Sequence, residues 1–154
     1  MTNYTEHLPK PAAGQRRLFL KAGCPFCTKL VVFLAAAGLL DKVKPIYDCP
    51  PVREYVSAVN NGTCTFPAIE LEDNKAVLLE TADIIALLSE ENDVDSSSLW
   101  AFRYFEEGLL VSYSALFGYL IKSEGGYPQA KQWFDDNADL IAHPCPPEGA
   151  AEVL

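Results

Sequence analysis

Two cysteines, Cys24 and Cys27, sit two residues apart in RLFLKAGCPFCTKL, residues 17–30, and no other feature constrains the fold as strongly. The residues before them, RLFLK (17–21), read as a short buried strand. From Pro25 the pattern becomes helical and runs to Ala37, with Gly38 as the stop and Phe26, Leu30, Phe33, Leu34 and Ala37 on one face. This register places Cys24 at the helix N-cap and Pro25 at the first helical position, where a missing N–H is no loss. The unpaired N–H groups of the first turn and the helix dipole then favour a thiolate at Cys24. Lys21, three residues earlier, adds a positive charge, and Cys27, one turn along, is close enough to close a small ring.

Further along, VKPIY (43–47) is a second strand that Pro45 confines to an edge or a distortion. Pro50 and Pro51 open a helix through about Val59, and Asn60, Asn61 and Gly62 end it. PAIEL (67–71) and AVLL (76–79) flank a hairpin turn at Asp73 and Asn74. Thr81 is placed to cap a helix to about Glu90, with Ile84, Leu87 and Leu88 inward. The order is β-α-β-α-β-β-α, closed by the loop NDVDSSS. Two helices follow, over about 98–122, with Gly108 and Gly118 as weak points, and over about 128–141. The expected organisation is a loose leader (1–16), an α/β domain (17–92), a helical extension (98–142) and a flexible tail (143–154).

At 154 residues and 49% hydrophobic content, the chain can bury a core as one domain with an appendage. Its net charge of -9 argues against general nucleic-acid binding, which needs a basic footprint. The charge is uneven. Through Lys44 there are seven basic residues (Lys10, Arg16, Arg17, Lys21, Lys29, Lys42, Lys44) against Glu6 and Asp41. This reads either as ordinary solvation or as a positive field around the cysteine pair. The first residues lack the apolar core of a signal peptide, and the apolar stretch 108–121 is too short for a membrane span. Five cysteines in no disulfide framework give a soluble, reducing compartment, the cytoplasm by default, with no membrane partner.

Three chemistries compete for the cysteine pair. A structural zinc site wants a second Cys-x-x-Cys, and Cys49, Cys64 and Cys145 do not supply one, so no metal is expected. Two inert buried thiols are a second reading. Thiol chemistry is favoured, because the pair sits where a βαβ unit presents it. In CTFPAIEL (64–71) Pro67 opens a strand, and its composition alone favours an ordinary trans bond. In LLETADII (78–85) Glu80 and Thr81 begin a helix beside free N–H donors that can hold a carboxylate, in addition to capping by Thr81. Cys64 reads as a buried filler rather than a neighbour of the active pair. Cys49 and Cys145 carry no functional signal, and His7 and His143 read as surface residues.

Taken together, LysAlaGlyCysProPheCys, ThrPhePro and GluThrAlaAspIle resemble the thioredoxin-fold domain of glutaredoxins and glutathione transferases. The first segment is similar to dithiol glutaredoxins. The others are similar to the glutathione-binding half of a cysteine-bearing transferase such as the omega class. The resemblance covers about residues 17–92 and implies a thioredoxin-like α/β fold with a short helical extension. It implies Cys24 as the attacking cysteine and Cys27 as the second of a redox-active pair. It also implies a glutathione site of Lys21, Phe26, Phe66, Pro67, Glu80 and Thr81, with Pro67 cis. Only residues 98–154 follow the loop, fewer than the second domain of a full transferase, and this weakens the case for conjugation more than for thiol exchange. A glycine pair of glutaredoxins is also replaced by LeuLeuGluThr.

The implied activity is glutathione-dependent thiol–disulfide exchange, with glutathione as co-substrate and glutathionylated or disulfide-bonded proteins as partners. The rivals are a non-catalytic binding or interaction module, including a homodimer through the apolar 108–121 helix, and an iron–sulfur carrier. A membrane-inserting, channel-like protein is the weakest of them.

Overall fold

A computed structural model describes residues 8–21, 23–72 and 76–137. Strand β1 (Arg16–Leu20) leads into helix α1 (Pro25–Ala37), which ends as expected on Gly38, with φ 70°. A short 3-10 turn (Leu40–Lys42) precedes β2 (Val43–Tyr47), and α2 (Pro50–Val59) follows. The hairpin strands are β3 (Ala68–Glu72) and β4 (Ala76–Leu78), and α3 spans Thr81–Glu91. The turn at Asp73 and Asn74 and the tail beyond residue 137 lie outside the described residues.

The four strands form one mixed sheet in the order β2-β1-β3-β4. β1 runs parallel to β2 and antiparallel to β3, and β3 is antiparallel to β4. β2 is an edge strand, where Pro45 removes no interior ladder bond. The fold is an α/β thioredoxin-like βαβαββα unit, as the sequence predicts.

Because successive strand residues face opposite ways, β1 supplies two cores. Leu18 and Leu20 pack with Leu30, Phe33, Leu34, Ile69 and Ile84 on the α1–α3 side. Phe19 packs with Ile46, Val52, Tyr55 and Val56 on the α2 side. That second side also holds a buried polar network that sequence reasoning missed. Arg17 Nη1 lies 3.2 Å from Glu70 Oε1, the Tyr55 hydroxyl donates to the same oxygen, and Arg17 Nε donates to the Pro9 carbonyl at 2.9 Å. The network and the buried Leu8 tie down residues expected to form a loose leader.

Three further expectations change. On α3 it is Ile84, Ile85 and Leu88 that are buried, while Leu87 is half-buried. The helix expected over 98–122 is α4 (Trp100–Tyr104), a π-turn (Phe105–Leu109) and α5 (Leu110–Glu124), with the weak point Gly108 inside the π-turn. The last helix, α6, spans Tyr127–Asp136. The extension docks on the α/β unit through buried Phe102, edge-on to Phe33 at 5.6 Å, and through the Lys29–Glu106 ion pair at 2.7 Å. No helix among the described residues is long and apolar enough to cross a membrane.

Candidate active site

The pairing registers put the C-terminal ends of β1 and β4 and the N-terminal end of β3 at one end of the sheet. There the chain leaves β1 at Lys21, turns through Gly23 at φ 71° and enters α1. A positive φ at this turn suits glycine, which has no Cβ to clash. Cys24 is the N-cap, with extended backbone (φ -83°, ψ 119°), and its sulfur accepts the Cys27 N–H at 3.3 Å. The side chain thus caps the helix as a serine or aspartate would. Its carbonyl starts the helical ladder, accepting from the Thr28 N–H at 3.0 Å and from the Thr28 hydroxyl at 3.1 Å.

Cys24 is half-buried and Cys27 is buried; both are free thiols in this structure. The Cys24 thiol is lowered to about 6, from an ordinary 9.0. The largest cause is the hydrogen bond from the Cys27 thiol, followed among the favourable causes by the N–H groups of Cys27 and Phe26 and the charge of Lys21, against the opposing effect of burial. From the sequence, the helix terminus and Lys21 favour this thiolate; in the structure the largest share comes from Cys27. The same contact, with burial, pushes the Cys27 thiol far up, although the Lys21 N–H donates to its sulfur at 3.4 Å. One pair of sulfurs is therefore split into an acceptor whose thiol is lowered and a donor whose thiol is raised.

Across from Cys24 stands the start of β3. The Phe66–Pro67 bond is cis, against the reading from composition and in line with the resemblance. The Phe66 carbonyl oxygen lies 3.7 Å from Cys24 Sγ, and Pro67 is fully buried. Phe26 departs from expectation. Its periodicity places it inward, yet it is 51% exposed, in the first turn of α1, where Cys27 is the buried residue. Thr81 does not cap α3. Glu80 occupies the N-cap, with no side-chain cap hydrogen bond, and Thr81 is the first helical residue. Glu80 and Thr81 stand at the same end of the sheet as Cys24, joined to the cysteines by no hydrogen bond among the described residues.

Ion pairs take up part of the basic excess that reads either as solvation or as a positive field around the pair. Arg16 is held by Glu91, Arg17 by Glu70 and Lys29 by Glu106, and the charge of Lys21 acts on both sulfurs. Cys64 packs against the α2-side core beside Phe66 and Cys49. Burial and Asp48 push its thiol up, opposed by Arg53 and a hydrogen bond from the Ser57 hydroxyl. Among the described residues, no group of three or more His, Cys, Asp or Glu side chains is arranged to hold a metal ion.

Sequence reasoning missed a wall on the side of Cys24 away from β3 and α3. An open cavity of about 200 Å³ lies between the start of α1, at Gly23, Pro25 and Thr28, and the extension, at Phe105, Leu109, Leu110 and Tyr113. The only hint was the apolar stretch 108–121, whose inner face supplies three of these residues. A second, more polar recess of about 220 Å³ sits at the other end of β1, around Arg16, Lys42 and Glu91, and holds none of the site residues.

Residues 23–91 match the family described as glutathione S-transferase, N-terminal domain. The α/β unit is a thioredoxin-fold domain of this glutathione S-transferase type. No curated protein matches the chain. The transferase-type segment takes in the cysteine pair, Phe66–Pro67 and Glu80–Thr81, and excludes β1, Lys21 and the helices that build the cavity wall. The match relates residues 23–91 to glutathione transferases, while the wall is read from the chain's own geometry.

Proposed function

We propose that this chain is a glutathione-dependent thiol–disulfide oxidoreductase of glutaredoxin type. The observation that carries the reading is the Cys24 sulfur at the N-cap of α1, accepting the Cys27 N–H at 3.3 Å. A thiolate is the attacking species in disulfide exchange, and this one is held ionised at neutral pH while remaining half-exposed. Cys24 attacks the glutathione sulfur of a mixed disulfide, and the other thiol departs. Glutathione is held by Lys21, Phe26, the Phe66 backbone beside Pro67, and Glu80–Thr81. A second glutathione regenerates Cys24 and leaves as glutathione disulfide. For disulfides within one protein, Cys27 resolves the intermediate instead, becoming a nucleophile once its proton is lost. Glutathionylated and disulfide-bonded proteins are the partners, in a reducing compartment.

The test is turnover of a glutathionylated disulfide by wild type and Cys24→Ser. Equal rates end the reading. A second reading, an interaction module, is favoured by the outer face of the extension. There Trp100, Tyr104, Leu116 and Tyr119 are between 71% and 78% exposed. A change of size in solution when glutathione is added, without turnover, would favour the module.

A further inference from the structure

Helix α1 meets the extension at three successive levels. Farthest from Cys24, buried Phe33 stands edge-on to buried Phe102 of α4 at 5.6 Å. One turn nearer, Lys29 Nζ lies 2.7 Å from Glu106 Oε1. One turn nearer still, at Pro25, α1 and the extension part, and the open cavity lies between them. Phe33, Lys29 and Pro25 are spaced by four residues, so they share one face of α1. The contact therefore passes from apolar anchor, through an ion pair, to an opening beside Cys24.

Lys29 is the only charged residue of α1, so no other ion pair can join this helix to the extension. Its side chain is 16% exposed, whereas the Arg103–Glu107 pair, within one stretch of helix, is exposed on both sides. Glu106 belongs to the π-turn (Phe105–Leu109), which also holds Gly108. Such a turn interrupts the regular helical ladder, and bends concentrate there. Beyond it α5 is lightly held, with Leu110 as its buried residue. Segments with few buried apolar contacts open at low cost. The π-turn is thus the place where α5 can swing away from Pro25, and the Lys29–Glu106 pair opposes that swing.

We propose that Lys29 and Glu106 are positioning residues that form a latch. Closed, the latch limits approach to Cys24 from the extension side to small groups; released, it admits protein-sized ones. Salt releases it, because the carboxylate is partly exposed and screening weakens the pair. Where the latch bears on which disulfides are turned over, the inference rests on the proposed function.

The experiment follows Cys24 alkylation, peptide by peptide, with N-ethylmaleimide and with the rigid, bulky N-pyrenylmaleimide, which share one reactive group. Glu106→Gln should raise the pyrenyl rate about fivefold, the upper end for a partly exposed ion pair, and leave the ethyl rate within about twofold. Added sodium chloride should do the same to wild type and leave Glu106→Gln unmoved. Exchanging the charges, with Lys29→Glu and Glu106→Lys together, should bring the pyrenyl rate back toward wild type. Equal speeding of both reagents in Glu106→Gln would mean that the freed Lys29 charge acts on the sulfur, and it overturns the latch. A pyrenyl rate that ignores both the variant and the salt overturns it too. In turnover, Glu106→Gln should lower KM about fivefold for glutathionylated serum albumin and leave it unchanged for the glutathione–cysteamine disulfide. A KM shift shared by both disulfides overturns selection by size. If the alkylation results hold and neither disulfide is turned over, the latch stands and the oxidoreductase reading falls.

Discussion

Helices α1 and α2 begin with the same dipeptide, Cys24-Pro25 and Cys49-Pro50, with the cysteine at the N-cap and proline in the first turn. Only one of the two sulfurs caps its helix. Cys24 accepts the N–H of Cys27, whereas Cys49 makes no side-chain cap hydrogen bond. Two differences account for this. An N-cap side chain is served by the N–H groups two and three residues on, and Pro51 removes the nearer of these in α2. The backbone at Cys49 is also more extended, with φ -155° and ψ 164°, and its side chain packs against the α2-side core. A cysteine at a helix terminus therefore does not by that position alone gain a cap hydrogen bond. The sulfur also has to meet the donors, and at Cys24 a second thiol adds the largest of them.

The strongest challenge to this comparison is to remove each sulfur. Cys24→Ser should lower turnover of a glutathionylated disulfide by about a thousandfold or more, whereas Cys49→Ser should leave it within about twofold. A comparable loss from both would mean that the two helix starts are equivalent after all.

The next effect is on pH dependence. Alkylation of Cys24, followed peptide by peptide, should switch on with a midpoint at about pH 6, whereas Cys27 and Cys64 should label only above the ordinary thiol range. The sign for stability follows. The folded-state value of Cys24 lies below the ordinary 9.0, so its ionisation stabilises the fold fully above about pH 9 and loses that contribution as pH falls to about 6. The gap in denaturant midpoint between wild type and Cys24→Ser should close over that interval.

The source of the difference can then be isolated at Cys27. Cys27→Ala should raise the Cys24 alkylation midpoint by about one unit or more, while Cys27→Ser, which keeps a donor, should raise it less. Cys27→Ser should also retain activity on glutathione mixed disulfides if a single cysteine carries that route. The smallest effect is expected at α2: Pro51→Ala restores an N–H to its first turn and should speed Cys49 alkylation about twofold at neutral pH. No change there would mean that the backbone angle at Cys49, rather than the missing donor, keeps its sulfur uncapped.

Much of the fold was legible because the signals were local. The spacing around Cys24 and Pro25, the stop at Gly38, the edge position forced by Pro45 and the paired runs around Asp73 each report a constraint within a few residues. The expectations that failed were those set by what lies across space. Phe26 has core periodicity but is exposed, Thr81 yields the N-cap to Glu80, and Leu8 is buried although it belongs to a segment that reads as a leader. Arg17, Tyr55 and Glu70 stand far apart in the sequence until three elements bring them into one buried network.

The sequence by itself determined the order of elements, the thioredoxin-like unit and the cysteine that starts α1, because strand and helix periods, proline and glycine act through the chain's own backbone. Only the tertiary structure decided how the two sulfurs divide their protons and that Tyr113, far along the chain, faces the cavity beside Cys24. Hydrogen bonds, burial and charge depend on distances through space, and those are fixed only when α1, β3 and the extension pack together.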